Sequence, residues 1–271
     1  MNLKNLKAGI ICLLFIMSSY APAVFAEDAV ISIIIDDLGS DNARHEQVVR
    51  LPGAITCSFL PLYKASYRLA KLAHSYNKEI LLHLPMESIA QKPMGPGGLS
   101  LDMTEREFIW AMQKDLASVP HAIGINNHMG SLLTRHPGHM IWLMKEMKRN
   151  GKLLFVDSRT THASVANTVA LEHGVPSLER NVFLDHDPDV KSVRKQFART
   201  IALAKKKGSA LAIGHPYAST IKVLKEMLPK LNGMGVRLIA VSELQEIQRE
   251  RQKVWQASLS RSPKAAKSSK P

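Results

Sequence analysis

Short runs of apolar residues alternate along this chain with longer segments in which apolar residues recur at helical spacing. Eight of the runs predict β-strands, and several contain no polar residue, which is typical of parallel strands covered on both faces. The predicted strands are 30–35, 54–59, 79–83, 122–126, 152–156, 182–184, 210–214 and 236–240.

The segments between these runs predict amphipathic helices. The segment 104–119 opens with Thr104 and Glu107, which have the spacing of a capping box. The segments 137–150 and 192–207 end in basic residues followed by glycine, a typical helix C-terminus. Strand and helix therefore alternate over nearly the whole chain, which predicts an α/β fold with a parallel sheet or barrel.

The segment 88–103 interrupts this alternation. It is rich in proline and glycine and follows the third predicted strand. A loop of this length inside a compact domain often serves function. We therefore expect it to overhang a site.

Polar and ionisable side chains stand where most of the predicted strands end. The C-terminal ends of parallel strands share one face of a barrel or an open sheet, so we expect these side chains to converge there. The residues at the strand ends are Asp36, Asp37, His83, Glu87, Asn126, Asn127, His128, Ser131, Asp157, Arg159, His215 and Tyr217. Asp185 also stands at the end of a predicted strand, the sixth, but in the sequence LDHDPD it is interpreted as part of a turn.

Two adjacent acids, Asp36 and Asp37, close the first strand. Like charges so close repel each other, and their desolvation costs free energy unless a cation or a chemical role compensates. Carboxylate oxygen together with imidazole nitrogen, in a site with three protein ligands, is what a hydrolytic Zn²⁺ site requires. The strand ends therefore predict a divalent metal site, most consistent with zinc, in which the fourth ligand is water.

The first 26 residues have the pattern of a secretory signal. Two lysines precede the apolar run 8–17, which is short for a membrane span, and small residues lead to a cleavage site after Ala26. An uncleaved anchor is the alternative. We expect export to the periplasm or secretion, with no transmembrane segment in the mature chain. That chain keeps only Cys57, which excludes an internal disulfide.

The formal net charge of +13 is unevenly distributed. The segment 249–271 carries +6, the signal +2 and the remaining domain, 27–248, only +5. The basic segment is rich in Ser, Pro, Lys and Ala, which predicts a disordered tail that is solvated or contacts an anionic envelope polymer or lipid. Because no aromatic interleaving or nucleic-acid motif accompanies the charge, we do not expect nucleic-acid binding.

Five stretches, in this order and spacing, resemble the divergent polysaccharide deacetylase family, a branch of the NodB-type carbohydrate esterase superfamily. The stretches are IIIDDLG, LLHLPMES, GINNHMGS, FVDSRTT and AIGHPYAST. The resemblance covers about 29–246. It implies a distorted (β/α) barrel of about seven parallel strands and metal-dependent deacetylation of acylated sugars.

The resemblance also implies roles for single residues. Asp36 corresponds to the general base, Asp37 and His83 to metal ligands and His215 to the general acid, which Asp157 would orient.

The third ligand has two candidates, because Glu87 stands where the esterases have the second histidine of an H-x-x-x-H motif. It is either Glu87 or His128. We favour His128, because NNHMGS replaces the Arg-Pro-Pro-Tyr-like motif of the plain esterases. Substrate contacts are expected from Glu87, Asn127, Ser131, Arg159 and Tyr217.

Three functions are compatible with this pattern. The first is an exported metal-dependent hydrolase that removes N- or O-linked acyl groups from a cell-wall or envelope polysaccharide. The second is a non-catalytic glycan-binding envelope protein on the same barrel, in which metal is absent or idle. The third is a phosphoester or peptide hydrolase, which ranks lower because an anionic substrate needs several cations and the candidates are only Arg135, Arg159 and Arg180.

Overall fold

The structure is a computed structural model and describes residues 29–151 and 153–260. The strands are β1 Ala29–Leu38, β2 Ile55–Phe59, β3 Ile80–Met86, β4 Ala122–Met129, β5 Leu154–Asp157, β6 Ser177–Glu179, β7 Val182–Phe183, β8 Ser209–Gly214 and β9 Val236–Leu238. The helices are α1 Ala43–Val49, α2 Ser66–Ser75, α3 Glu105–Ser118, α4 Pro137–Arg149, α5 Ala166–Glu172, α6 Val190–Lys207, α7 Ala218–Met227 and α8 Val241–Ser260.

All the strand pairs are parallel, in the order β6-β5-β4-β3-β2-β1-β8-β7, and β9 pairs with the start of β1. The two ends of this order, β6 and β7, are separated along the chain by only Arg180 and Asn181. Two residues cannot span a wide gap, so the curled sheet brings its edges near each other. The predicted α/β parallel barrel is confirmed.

The sheet buries apolar side chains on both faces, which explains the uninterrupted apolar runs in its strands. The outer face packs against the surrounding helices around residues such as Phe59, Phe108 and Phe155. The inner face carries a separate cluster that includes Ile34 and Ile213, and Val241 and Leu244 of α8 complete it.

Helix α8 lies against the ends where the strands begin. Ser242, in its first turn, donates its backbone N–H to Glu79, the residue before β3, and Gln248 contacts Ser209 at the start of β8. The helix therefore covers this end of the barrel and leaves the opposite end, where the polar residues stand, open for a site.

Several local predictions hold in detail. Thr104 and Glu107 form the predicted capping box at the start of α3, and Gly208, with φ of 82°, ends α6. The short elements β6, α1 and α5 were not predicted, because three to seven residues give too little periodicity to recognise.

The C-terminal basic segment, 249–271, begins within helix α8. Helix α8 continues to Ser260, since Ile247 packs against the inner core and Lys253 pairs with Glu250 one turn earlier. The remaining tail, 261–271, and the signal, 1–26, lie outside the described residues. Within 29–151 and 153–260, no helix combines the length and apolar character needed to cross a membrane.

A buried carboxyl group, that of Asp115 in α3, lies beneath the loop 88–103. Asp115 has no exposed surface, and neither of its oxygens accepts a hydrogen bond from a described residue. A side chain at Gly97 would collide with it, so the loop lies directly on the carboxyl group. Burial raises the pKa of Asp115 to about 7.

We expect Asp115→Asn to remove a pH dependence of folding. The folded protein keeps the Asp115 proton up to about pH 7, whereas the unfolded chain releases it near pH 4, so stability falls as pH rises through this window. The wild type should lose roughly 3 kcal/mol more than the variant between pH 5 and pH 8 in urea unfolding. Parallel pH profiles for the two proteins would refute this prediction.

Candidate metal-dependent site

The site forms where β1, β3, β4 and β8 end, and the end of β1 has an unusual backbone. The register of β1 against β2 shifts between Ile35 and Leu38, and Asp37 has a φ of 59°. Such a left-handed conformation is costly for a residue with a side chain and often marks a functional site. Asp36 is almost completely buried, whereas the side chain of Asp37 is 33 % exposed.

Three donor atoms converge at this point. Asp37 Oδ1 lies 3.1 Å from His83 Nε2 and 2.9 Å from His128 Nδ1, and the two nitrogens are 3.1 Å apart. These separations are close to the ~3.3 Å between neighbouring ligands of a tetrahedral Zn²⁺ with bonds of about 2.0–2.1 Å.

The hydrogen bonding of Asp37 Oδ1 also fits a metal ligand. The atom is buried, yet no described group gives it a well-aligned hydrogen bond although both histidines approach it. Burial alone would raise the pKa of Asp37, but His128 and His83 outweigh it and hold this pKa far below its usual range. The carboxylate is therefore ionised and available. Asp37, His83 and His128 together could hold a divalent metal ion.

Asp36 lies deeper than this cluster. Its Oδ1 accepts a hydrogen bond of 2.8 Å from Asn126 Nδ2, and its Oδ2 lies 3.7 Å from His83 Nε2. Burial raises the pKa of Asp36, against the opposing effect of His83, His215 and the Asn126 hydrogen bond. A buried carboxylate with a raised pKa is better suited to accept a proton than an exposed one.

His215, after β8, lies on the other side of Asp37. Its Nε2 is 3.8 Å from Asp37 Oδ2, and its Nδ1 is 2.9 Å from Asp185 Oδ1. Burial lowers the pKa of His215, but the Asp185 hydrogen bond and the charges of Asp36, Asp185 and Asp37 raise it overall to about 9. His215 therefore carries a proton at neutral pH and presents Nε2–H toward the cluster.

The predicted contact between Asp157 and His215 is wrong, because Asp185 occupies that position. Asp185 accepts hydrogen bonds from the His215 N–H and from Thr220 as well as facing the ring. Strand β7 pairs with β8, so the residues that follow these strands become neighbours. Asp157 is the last residue of β5 and accepts hydrogen bonds from Arg159 N and Ser164 Oγ, so it shapes its own loop.

Glu87 is separate from the three-residue cluster. Its Oε2 accepts the Leu101 N–H at 2.8 Å, and its backbone bonds with Leu99 and Leu132. The side chain thus anchors the loop 88–103, which extends β3 through a bridge between Met86 and Leu99. Of the two candidates for the third ligand, the geometry groups His128 with Asp37 and His83.

The other residues predicted to contact substrate differ in how free their side chains are. Tyr217 is 42 % exposed and lies 5.8 Å from the His215 ring, so it borders the site. Asn127 is buried and accepts the Ser158 N–H. Ser131 accepts the Ile89 N–H, and Arg159 pairs with Glu179. Their roles in binding substrate remain predictions.

Comparison with known proteins adds the following. A family model described as divergent polysaccharide deacetylase matches residues 33–245. The uncharacterized protein YibQ of Escherichia coli (strain K12) is 36% identical over 201 residues, which cover 74% of this chain and 63% of that protein. An uncharacterized protein of Haemophilus influenzae is 36% identical over 219 residues, 81% of this chain and 78% of that one. The chain thus spans less than two thirds of the E. coli relative.

Among solved structures, the uncharacterized protein ATU2773 from Agrobacterium tumefaciens C58 has a TM-score of 0.77 at 22% identity. The match covers 82% of this chain and 92% of that chain. The lactam utilization protein from Thermus thermophilus has a TM-score of 0.55 at 12% identity, with 78% and 99% covered. At these identities, both structures indicate a shared fold.

Proposed function

Since the chain belongs to the divergent polysaccharide deacetylase family, we propose that it is an exported, metal-dependent hydrolase of acylated polysaccharide in the cell wall or envelope. The observation that carries this proposal is the convergence of Asp37, His83 and His128 between a buried carboxylate and a proton-bearing histidine. The signal-like pattern of 1–26 supports a location in the periplasm or outside the cell.

Asp37, His83 and His128 would hold the metal, and two nitrogens with one oxygen favour zinc among the common divalent ions. A metal bound there would polarise the acyl carbonyl and lower the pKa of water. The Asp37 carboxylate is ionised. The side chain of His83 is only 2 % exposed, whereas that of Asp37 opens toward solvent, so the site is partly enclosed.

Asp36 is the proposed general base. Its Oδ1 is committed to Asn126, so Oδ2 is the atom left to take a proton from the attacking water. The water oxygen then bonds to the acyl carbon. The burial that raises the pKa of Asp36 makes this transfer more favourable than it would be for an exposed aspartate.

His215 is the proposed general acid. Asp185 fixes its Nδ1–H, which directs Nε2–H toward the cluster. When the C–N or C–O bond of the acyl group breaks, this proton passes to the leaving nitrogen or oxygen. The products are a free carboxylic acid and a sugar amine or alcohol. Tyr217, at the border, is placed to contact the sugar.

The arginines give little support to the phosphoester alternative. Arg159 is paired with Glu179. Arg180 donates to the backbone oxygens of Ser158 and Arg159, and its guanidinium lies 4.9 Å from the Phe183 ring centre. Both cations thus have partners within the protein, and a phosphate would have to displace them.

We expect the zinc-loaded protein to release acetate from N- or O-acetylated glycan oligomers. A chelator should abolish release, and added zinc should restore it. Product acetate can be measured on matched oligomers acetylated only at nitrogen or only at oxygen, with deacetylated oligomers as the blank, which also distinguishes nitrogen from oxygen substrates. Glycan binding without acetate release from any panel member would favour the non-catalytic binding protein instead.

A further inference from the structure

Asn126, in β4, is buried at the centre of the site and uses every hydrogen-bonding position of its side-chain amide. Its Nδ2 donates to Asp36 Oδ1 at 2.8 Å and to Ser158 Oγ at 3.3 Å. Its Oδ1 lies 2.6 Å from Ser58 Oγ and 2.9 Å from His83 Nδ1. Two of these partners are a proposed metal ligand and the proposed base.

The chemistry of Asp36 determines which way this amide points. An ionised carboxylate can only accept hydrogen bonds, so the NH₂ group of Asn126 must face Asp36. The amide oxygen then faces His83 Nδ1, which has to donate to it. His83 therefore carries its proton on Nδ1 when the ring is neutral.

This tautomer leaves the lone pair of His83 on Nε2. That atom is the one that lies 3.1 Å from both Asp37 Oδ1 and His128 Nδ1. A histidine ligand needs its unprotonated nitrogen toward the metal, and the hydrogen bond at the other nitrogen fixes it there.

We propose that Asn126 is a positioning residue that couples the two halves of the site: one amide orients the base Asp36 and sets the ligand tautomer of His83. The inference rests on the proposed function and deepens it. The parallel register of β3 and β4 pairs His83 directly with Asn126, which brings the short side chain within reach of the ring. Ser58 in β2 and Ser158, directly after β5, also bond to the amide.

Two substitutions separate these roles. Asn126→Asp keeps an oxygen that accepts from His83 but loses the NH₂ group that bonds to Asp36. Asn126→Ala loses both contacts. Thr200→Ala is the matched control, because it removes a side-chain hydrogen bond at a buried residue of α6, a helix that contributes no residue to the site.

We expect Asn126→Asp to bind zinc at least as tightly as the wild type while acetate release falls by about 100-fold or more. Asn126→Ala should weaken zinc binding by roughly 10- to 100-fold and also lose acetate release. Thr200→Ala should lose thermal stability alone. Zinc affinity is measured by competition with a chelating dye, independently of activity.

The tautomer of His83 can be measured directly in the metal-free wild type by ¹⁵N NMR of labelled histidine at a pH where the ring is neutral, and a neutral ring with its proton on Nε2 would overturn the proposal. Equal loss of zinc affinity in both Asn126 variants, or wild-type affinity and activity in both, would also overturn it. If the wild type releases no acetate at all, the proposed function fails, whereas the zinc affinities and the tautomer still decide the role of Asn126 toward His83.

Discussion

Asp37→Ala is expected to abolish zinc binding and acetate release together. Asp37 Oδ1 is the only oxygen in the three-residue cluster, and it lies within 3.1 Å of both histidine nitrogens. Without it, two imidazoles remain, and the cluster loses its one negatively charged ligand for a divalent cation. We expect zinc affinity to fall by at least about 10³-fold and acetate release to fall below detection.

Asp41→Ala is a suitable control for this experiment. Asp41 lies four residues further along the chain and is exposed, and among the described residues its ion-pair partners are the surface cations Lys64 and Arg68 at 3.8–4.0 Å. Its removal should leave zinc affinity and acetate release unchanged. If Asp37→Ala retained stoichiometric zinc, Asp37 would not be a ligand.

His215→Ala should have the second largest effect, and of a different kind. His215 is next to the cluster but is not one of its three converging donors, so zinc binding should persist within a few-fold. Loss of the proton donor should lower kcat by roughly 10²–10⁴-fold. A substrate with a leaving group that needs no protonation, such as an aryl acetate, should recover most of the lost rate.

Asp185→Asn tests how His215 is oriented. The amide can no longer stabilise the protonated ring, so we expect kcat to fall by about 10-fold or more, with zinc bound as before. Asp157→Asn should reduce kcat less, because Asp157 bonds within its own loop. A larger effect from Asp157 than from Asp185 would contradict this assignment. Asp187→Asn, at an exposed side chain that bonds Ser192, is the neutral control.

The sequence predicts which residues reach the site better than it predicts which of them touch. Every parallel strand delivers its C-terminal residue to the same face, so Asp37, His83, His128 and His215 could be grouped from the strand ends alone. The partner of His215 depends on the order of strands in the sheet. Asp185 and Asp157 both lie at the ends of predicted strands, and only the pairing of β7 with β8 distinguishes them.

The sequence leaves two candidates for the third ligand, Glu87 and His128, for a related reason. Glu87 and His128 both lie at the ends of predicted strands and carry groups that bind metals. The backbone decides between them, because the chain after Met86 bridges to Leu99 and sends the Glu87 carboxylate to Leu101. The left-handed Asp37 is also not predictable from composition, since aspartate adopts this conformation only where its surroundings enforce it.

Helix α8 completes the inner core in a way that the sequence does not reveal. Val241 and Leu244 pack there beside Ile34 and Ile213, which come from strands distant in the sequence. Periodicity shows which face of a helix is apolar, but not which side of the sheet that face covers.

The most direct test of the central claim is anomalous diffraction at the zinc edge from crystals of the zinc-loaded wild-type protein. The account predicts one strong peak within about 2.0–2.2 Å of the Asp37 carboxylate, His83 Nε2 and His128 Nδ1. A zinc-saturated crystal with no peak at that point, or with its peak among other residues, would contradict the account.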